Sequence, residues 1–336
     1  MNVVIVTQRL ENNYGGILQN YALQKILIRN NHSPITVDVL PRQTPWWIYL
    51  CSWMKTCLFL FFKAKRRHFA KIGKIPFRNS LFGLFVSENI KTTGLCRKLS
   101  KNVLAQYKAD AVIVGSDQVW RPMYNCRIED MFLKFAKDFP MKRISYAASF
   151  GVDFWEYTPQ KTKVCSELAQ KFDAISVREE SGVELCKVHL GVDATWVLDP
   201  TLLLTKEDYL PICEEVPVCN EKYLAVYVLD ENEEVITTYK KKATARGLIV
   251  KKFHADSKST LTIPEWLAVF RDASYVVTDS FHGTVFSIIF GKEFKCIYNE
   301  KRGSARFKSL LNLYNSGKIE TMREFSLNWL KNALEK

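Results

Sequence analysis

The feature that most constrains this chain is a recurring unit: a short continuous apolar run, a polar turn at its end, then a helical pattern. Val3 to Thr7 is the first such run, and its β-branched residues read as a strand buried on both faces. The polar stretch Gln8 to Tyr14 follows. Gly15-Gly16 then opens a helix with Ile17, Leu18, Tyr21, Leu23, Leu27 and Ile28 apolar. Asn30-Asn31 stops that helix, and Ile35 to Leu40 is the next strand. This βαβ opening predicts a Rossmann-like layer.

The unit recurs downstream. Ala111 to Val114 leads into Gly115-Ser116-Asp117-Gln118, Arg143 to Ala147 into Ala148-Ser149-Phe150-Gly151, and Ala174 to Val177 into Arg178-Glu179. Val197 to Thr201 closes this first domain, expected over residues 1–200. A second series, over 201–336, has strands at Tyr223 to Leu229, Leu248 to Phe253, Tyr275 to Thr278 and Phe294 to Tyr298. Its helices are expected at Pro264 to Asp272, Thr284 to Phe290, and from about Arg306 to the end. Two such domains face one another across a cleft, and ligands in these sheets bind beyond the carboxyl ends of the strands. The polar clusters all follow strands, so they are expected to converge there.

Composition agrees with a globular chain of two domains. Of 336 residues, 47% are hydrophobic and 25% charged, which is ample for a core and unlike disorder. The 9 Cys are odd in number, scattered and without a CxxC pair. That excludes a disulfide framework and a zinc cluster, and predicts reduced thiols in a cytoplasmic protein. No metal site and no cofactor are expected. The N-terminus reads as a strand rather than a signal peptide.

Nearly all of the net charge of +13 sits between Pro41 and Asp110, where about 14 Lys or Arg face about 2 acids. A nucleic-acid binder would spread its charge over a folded groove, so no nucleic-acid partner is expected. This insertion, about 42–105, interleaves aromatics with bases, including Trp46, Trp47, Trp53, Lys63, Lys65, Arg66 and Arg67. Such a mixture suits a membrane surface with anionic headgroups. Strands on either side belong to one sheet, so an interfacial element is expected rather than a span. The alternative is a helical insertion packed on the protein's own core.

Several strand-end residues have the chemistry of a site. Arg178 can grip a carboxylate or phosphate through two N–H groups, or simply pair with a neighbouring acid. His282 sits at a helix start, a position that attracts anions. Ser116, Asp117 and Ser149 are either site residues or helix caps. Arg302 and Arg306 add cations after the last strand, as anion ligands or a solvated loop.

Taken in order, the motifs are Asn13-Tyr14-Gly15-Gly16 with Gln19-Asn20-Tyr21-Ala22-Leu23, Gly115 to Trp120, Ser145 to Gly151, Ser176 to Glu179, Asp199-Pro200-Thr201, and Thr278 to Gly283. In this order and spacing the chain resembles the polysaccharide pyruvyl transferase family, from about Met1 to Leu311. The resemblance implies a GT-B-like α/β fold. It implies phosphoenolpyruvate as donor and a pair of sugar hydroxyls as acceptor, giving a cyclic pyruvate ketal. The family's donor-binding positions match Arg178 and His282. Many members carry an Arg two residues before that His, where this chain has Ser280, so Arg302 or Arg306 is expected to complete the anion grip. His282 is then expected to transfer a proton and Asp117 to orient the acceptor, with Asn13, Tyr14, Gly15, Gly16, Ser116 and Ser149 lining the cleft. The acceptor is expected to be a hexose such as galactose, on a polyprenyl diphosphate carrier at the inner face of the cytoplasmic membrane, in capsule or exopolysaccharide assembly. The competing readings are a GT-B glycosyltransferase using a nucleotide sugar, and a non-catalytic membrane adaptor.

Overall fold

A computed structural model describes residues 1–11, 13–39, 80–254, 261–298 and 303–335. The first sheet runs β2-β1-β3-β4-β5-β6 and is parallel throughout. Its strands are β1 (Asn2–Val6), β2 (Ser33–Thr36), β3 (Ala111–Val114), β4 (Lys142–Ala148), β5 (Ala174–Val177) and β6 (Thr195–Trp196). The second sheet, also parallel, runs β10-β9-β7-β8, from β7 (Tyr223–Val228), β8 (Ile249–His254), β9 (Tyr275–Thr278) and β10 (Glu293–Cys296).

Sequence explains which strands are central. The side chains of Val3 to Val6 and Ala111 to Val114 are buried on both sides, as continuous Val/Ile runs require. β8 and β10 instead alternate partly buried with exposed residues, as edge strands do. Strand positions follow the apolar runs to within a few residues. β2 is the main exception, starting at Ser33 and ending at Thr36 rather than running to Leu40. Beyond it the chain returns alongside, with Thr92 and Cys96 bridging in parallel to Thr36 and Val39. The basic aromatic segment therefore leaves and rejoins the same sheet edge. Trp46, Trp47, Trp53, Lys63, Lys65, Arg66 and Arg67 themselves lie outside the described residues. Among the described residues, no helix is long and apolar enough to cross a membrane.

The two sheets share one apolar core. It extends from Val3, Ile5 and Ile113 under the first sheet to Trp266, Phe270 and Phe286 under the second. The first helix, Tyr14–Arg29, runs between them with nearly every side chain buried. Asn13 caps it by accepting the Gly16 N–H. Tyr14 stacks on Trp266 with ring centroids 5.0 Å apart and donates its hydroxyl to the Leu261 carbonyl at 2.6 Å. The last helix, Ile319–Glu335, reaches back to the first sheet. The Leu198 N–H donates to Ser326 Oγ at 3.0 Å, Lys142 Nζ to the Leu334 carbonyl at 2.6 Å, and Trp329 lies against Tyr146.

Cys165, Cys186 and Cys213 are buried, and burial pushes the thiol of Cys165 up to about 12. Trp266 is the hub of the shared core, touching Tyr14, Tyr227, Phe270 and Phe286. Trp266→Ala is expected to cost about 3–5 kcal/mol, read as a lowered urea midpoint.

Candidate active site

Arg178 is the first residue after β5, and its side chain is 1% exposed. A guanidinium cannot shed its charge, so its burial demands acids. Nη1 donates to Asp199 Oδ2 at 2.8 Å and Nη2 to Asp117 Oδ1 at 3.4 Å. Both acids follow strands of the same sheet, Asp117 after β3 and Asp199 shortly after β6.

Asp199 is the hub. Its Oδ2 also accepts the Ser116 hydroxyl at 3.2 Å, while Oδ1 accepts the Thr201 hydroxyl at 2.6 Å and the Thr201 N–H at 3.0 Å. Burial acts to raise its pKa, but His282, Arg178 and Thr201 overcome it and hold the carboxyl well below the usual carboxylate range. Asp117 is likewise held low, with Arg178, His282 and Arg306 outweighing the cost of burial. Its backbone has φ +66°, in the left-handed region. That geometry returns its carboxylate onto the Gln118 N–H at 2.8 Å and leaves Oδ2 to Asn13 Nδ2 at 3.5 Å.

The second half supplies the opposite wall. The helix Phe281–Ile289 starts directly after β9, capped by Ser280, whose Oγ accepts the Gly283 N–H. His282 is therefore in the helix's first turn, one turn earlier than the periodicity suggested. Its ring is buried and lies against Gly15 of the first half. Nε2 is 3.8 Å from Asp199 Oδ2 and has no hydrogen-bond partner. Arg178 and Arg306 both pack on the Phe281 ring, with 4.6 and 5.5 Å to its centroid.

Among the described residues Arg306, unlike Arg178, makes no ion pair with a carboxylate, and its Nε is buried without an acceptor. Burial, and then the like charge of Arg178, push its pKa down to about 10. It remains a cation at neutral pH. The cleft it faces has a volume of about 510 Å³ and is lined by Asn13, Gly15, Asp117, Ser280 and His282 among others.

The structure thus brings Asn13, Gly15, Asp117, Arg178, Ser280, His282 and Arg306 together. It corrects four of the cleft-lining expectations. Tyr14 is 1% exposed and points into the shared core, because its ring is worth more against Trp266 than in water. Gly16 spends its N–H on the Asn13 cap. Ser116 and Ser149 are fully buried, holding Asp199 and Glu179 respectively. Ser280 lines the cleft, but its hydroxyl is committed to the helix cap. Arg302 lies outside the described residues.

Two residues escaped the sequence reading. Asp199 was visible only as an acid before Pro200 at a strand end. Glu179 is fully buried, and its Oε1 accepts the Phe150 and Gly151 N–H groups at 2.6 and 3.0 Å. Its neighbour Arg178 drew the attention instead. Among the described residues, no group of three or more His, Cys, Asp or Glu is placed to hold a metal ion.

Two parallel α/β sheets with their strand ends turned toward one cleft define a GT-B-like protein. A family model described as polysaccharide pyruvyl transferase matches residues 13–301, and the chain belongs to that family of transferases. No curated protein matches it. Among solved structures it is similar to a UDP-GlcNAc 2-epimerase from Neisseria meningitidis bound to UDP-GlcNAc, at 12% identity and a TM-score of 0.49, covering 100% of this chain and 98% of that one. It is also similar to a putative UDP-N-acetylglucosamine 2-epimerase from Listeria monocytogenes (12% identity, TM-score 0.46, 98% and 94% covered). A wall teichoic acid polymerase gives 10% identity and a TM-score of 0.43, with 100% and 83% covered.

Asp199→Ala removes the closer counter-ion of a buried Arg and is expected to cost about 3–5 kcal/mol in urea unfolding at neutral pH. The sign of the pH effect follows from the depressed carboxyl. Its stabilisation is complete above about pH 4, the usual unfolded value, and is lost as pH falls toward the folded one. Stability of the variant, measured between about pH 5 and 2, is therefore expected to fall less steeply with acid than that of the wild type.

Proposed function

We propose that this protein transfers the pyruvyl group of phosphoenolpyruvate onto two hydroxyls of a sugar, forming a cyclic ketal and releasing phosphate. The observation that carries the reading is Arg306, a partly desolvated guanidinium with no carboxylate partner, facing the cleft beside His282. An unpaired cation there is costly unless an anion completes it. The donor of this proposal is small and bears both a carboxylate and a phosphate, and so suits such a cation.

The reaction divides naturally among the residues present. The donor's methylene carbon takes a proton and becomes a methyl group, which leaves positive charge on the central carbon. A sugar hydroxyl adds to that carbon and gives up its proton. The carbon–oxygen bond to phosphate breaks with its electron pair on phosphate, and a second hydroxyl adds and loses its proton to close the ring. One proton is gained at carbon and one is available to phosphate, against two released from hydroxyls. His282, with an unpartnered Nε2, is assigned the proton transfer. Arg306 is assigned to the donor's negative charge, with Arg178, committed to Asp199 and Asp117, adding positive potential from behind them. Asp117, whose Oδ2 is reached by Asn13 at 3.5 Å, is assigned to the acceptor hydroxyls. This scheme uses protein groups alone and asks for no cofactor.

The acceptor is proposed to be a hexose such as galactose, on a polyprenyl diphosphate at the inner face of the cytoplasmic membrane, in capsule or exopolysaccharide synthesis. The composition of residues 46–67, aromatic and basic, supports docking at that surface. Replacing Lys63, Lys65, Arg66 and Arg67 by Ala is expected to abolish sedimentation with anionic vesicles. Sedimentation equal to wild type would remove the membrane proposal.

Phosphate release from phosphoenolpyruvate is expected to depend on acceptor. His282→Ala is expected to lower kcat by about 100-fold or more. Arg306→Ala is expected to raise the donor KM by about 10- to 100-fold, the loss of one charged hydrogen bond. Thermal stabilisation by a nucleoside diphosphate, with none from phosphoenolpyruvate, would overturn the reading in favour of a nucleotide-sugar glycosyltransferase.

A further inference from the structure

We infer that two glycines, Gly15 and Gly303, are positioning residues that set the reactive groups of the second half against the first. The inference rests on the roles proposed above for His282 and Arg306. At Gly15, in the first turn of the helix Tyr14–Arg29, an added Cβ would lie 1.9 Å from Nδ1 and 2.1 Å from Cγ of His282. The imidazole thus occupies the space where any other residue would carry its side chain. Gly303, three residues before Arg306, makes the matching contact in the opposite direction. Its absent Cβ would fall 1.8 Å from the carbonyl oxygen of Gly151, in the loop after β4, and its φ of +95° is itself a glycine conformation.

Each seat stands next to one functional side chain and crosses from one half to the other. The loop under Gly303 is not soft. Gly151 donates its N–H to Glu179 Oε1 and to Ser149 Oγ, both at 3.0 Å, and Glu179 is itself fully buried. Nor is the wall behind His282, where Asp199 is fixed by Arg178, Ser116 and Thr201. A methyl group at Gly15 must therefore drive the ring away by about 1.5–2 Å to regain ordinary contact distance. Displacements of about 1 Å at a reacting group cost on the order of 100-fold in rate.

Gly15 is the cleaner test, because its backbone is helical and accepts alanine without strain. Gly15→Ala is expected to lower kcat about 100-fold with donor KM within about threefold of wild type. Gly303→Ala is expected to raise donor KM at least tenfold, with a smaller change in kcat. Each effect is expected to vanish when the partner is already gone: Gly15→Ala in a His282→Ala background, and Gly303→Ala in an Arg306→Ala background. Gly94→Ala, with nothing within 4 Å of its added Cβ, is the control expected to match wild type. Two readings need no turnover. Gly15→Ala is expected to shift the imidazole NMR signals of His282, assigned by their loss in His282→Ala. Gly303→Ala is expected to weaken phosphoenolpyruvate binding in calorimetry.

Full additivity in either cycle, or unmoved His282 signals, would overturn the inference. So would loss of cooperative unfolding in Gly15→Ala, since the contact would then serve the fold rather than the histidine. Absence of phosphate release by the wild type with every acceptor would instead overturn pyruvyl transfer, leaving the His282 spectrum to decide the seat of the imidazole.

Discussion

The cleft is organised around a single buried charge, the guanidinium of Arg178. It cannot be neutralised by losing a proton, so everything around it must supply negative charge or hydrogen-bond acceptors. Asp199 and Asp117 supply the charge, and each is then fixed by what it accepts in turn. Asp199 draws in Ser116 and Thr201, and so ties the end of β3 to the segment after β6. Asp117 draws in Asn13 and its own neighbour's N–H, and so ties β3 to the start of the first helix. Four strand-end segments, after β1, β3, β5 and β6, are thereby locked around one ion cluster, which explains why so many short polar motifs follow strands here.

The same cluster sets the electrostatics of the cleft. Two carboxylates flank Arg178, and neither makes an ion pair with Arg306. The like charge of Arg178 even works against Arg306, helping to lower its pKa to about 10 while leaving it protonated. Arg306 thus lines the open space without an ion pair to either carboxylate.

Much of this was legible from the chain. Central strands such as Val3 to Val6 and Ala111 to Val114 betray themselves because burial on both faces permits nothing but apolar residues. The polar motifs after them could be placed at one end of the sheet by topology alone. Side-chain direction was not legible. Tyr14, next to Asn13 and Gly15, turns away from the cleft because Trp266, 252 positions along the chain, offers it a stacking partner. Ser116 and Ser149 look like site residues but serve buried carboxylates. Asp199 was hidden for the opposite reason: three of its partners, Arg178, Ser116 and His282, are distant in sequence, and no local pattern reveals them. The return of the last helix to the first sheet depends on contacts such as Ser326 with Leu198, which are equally invisible to periodicity.

Ser280 shows how these constraints trade against one another. Its hydroxyl closes the N-terminus of the helix that holds His282, so the position is committed to capping rather than to gripping an anion. The N–H groups of Phe281 and His282 then stand in the first turn of that helix, with Arg306 packed on the Phe281 ring. Arg306 and this helix terminus thus lie on the cleft side, with the guanidinium of Arg178 held behind them by its acids. An arginine at 280 would bring a further charge but forfeit the cap, and the ring of His282, wedged between Gly15 and Asp199, would lose the fixed helix start that aims it.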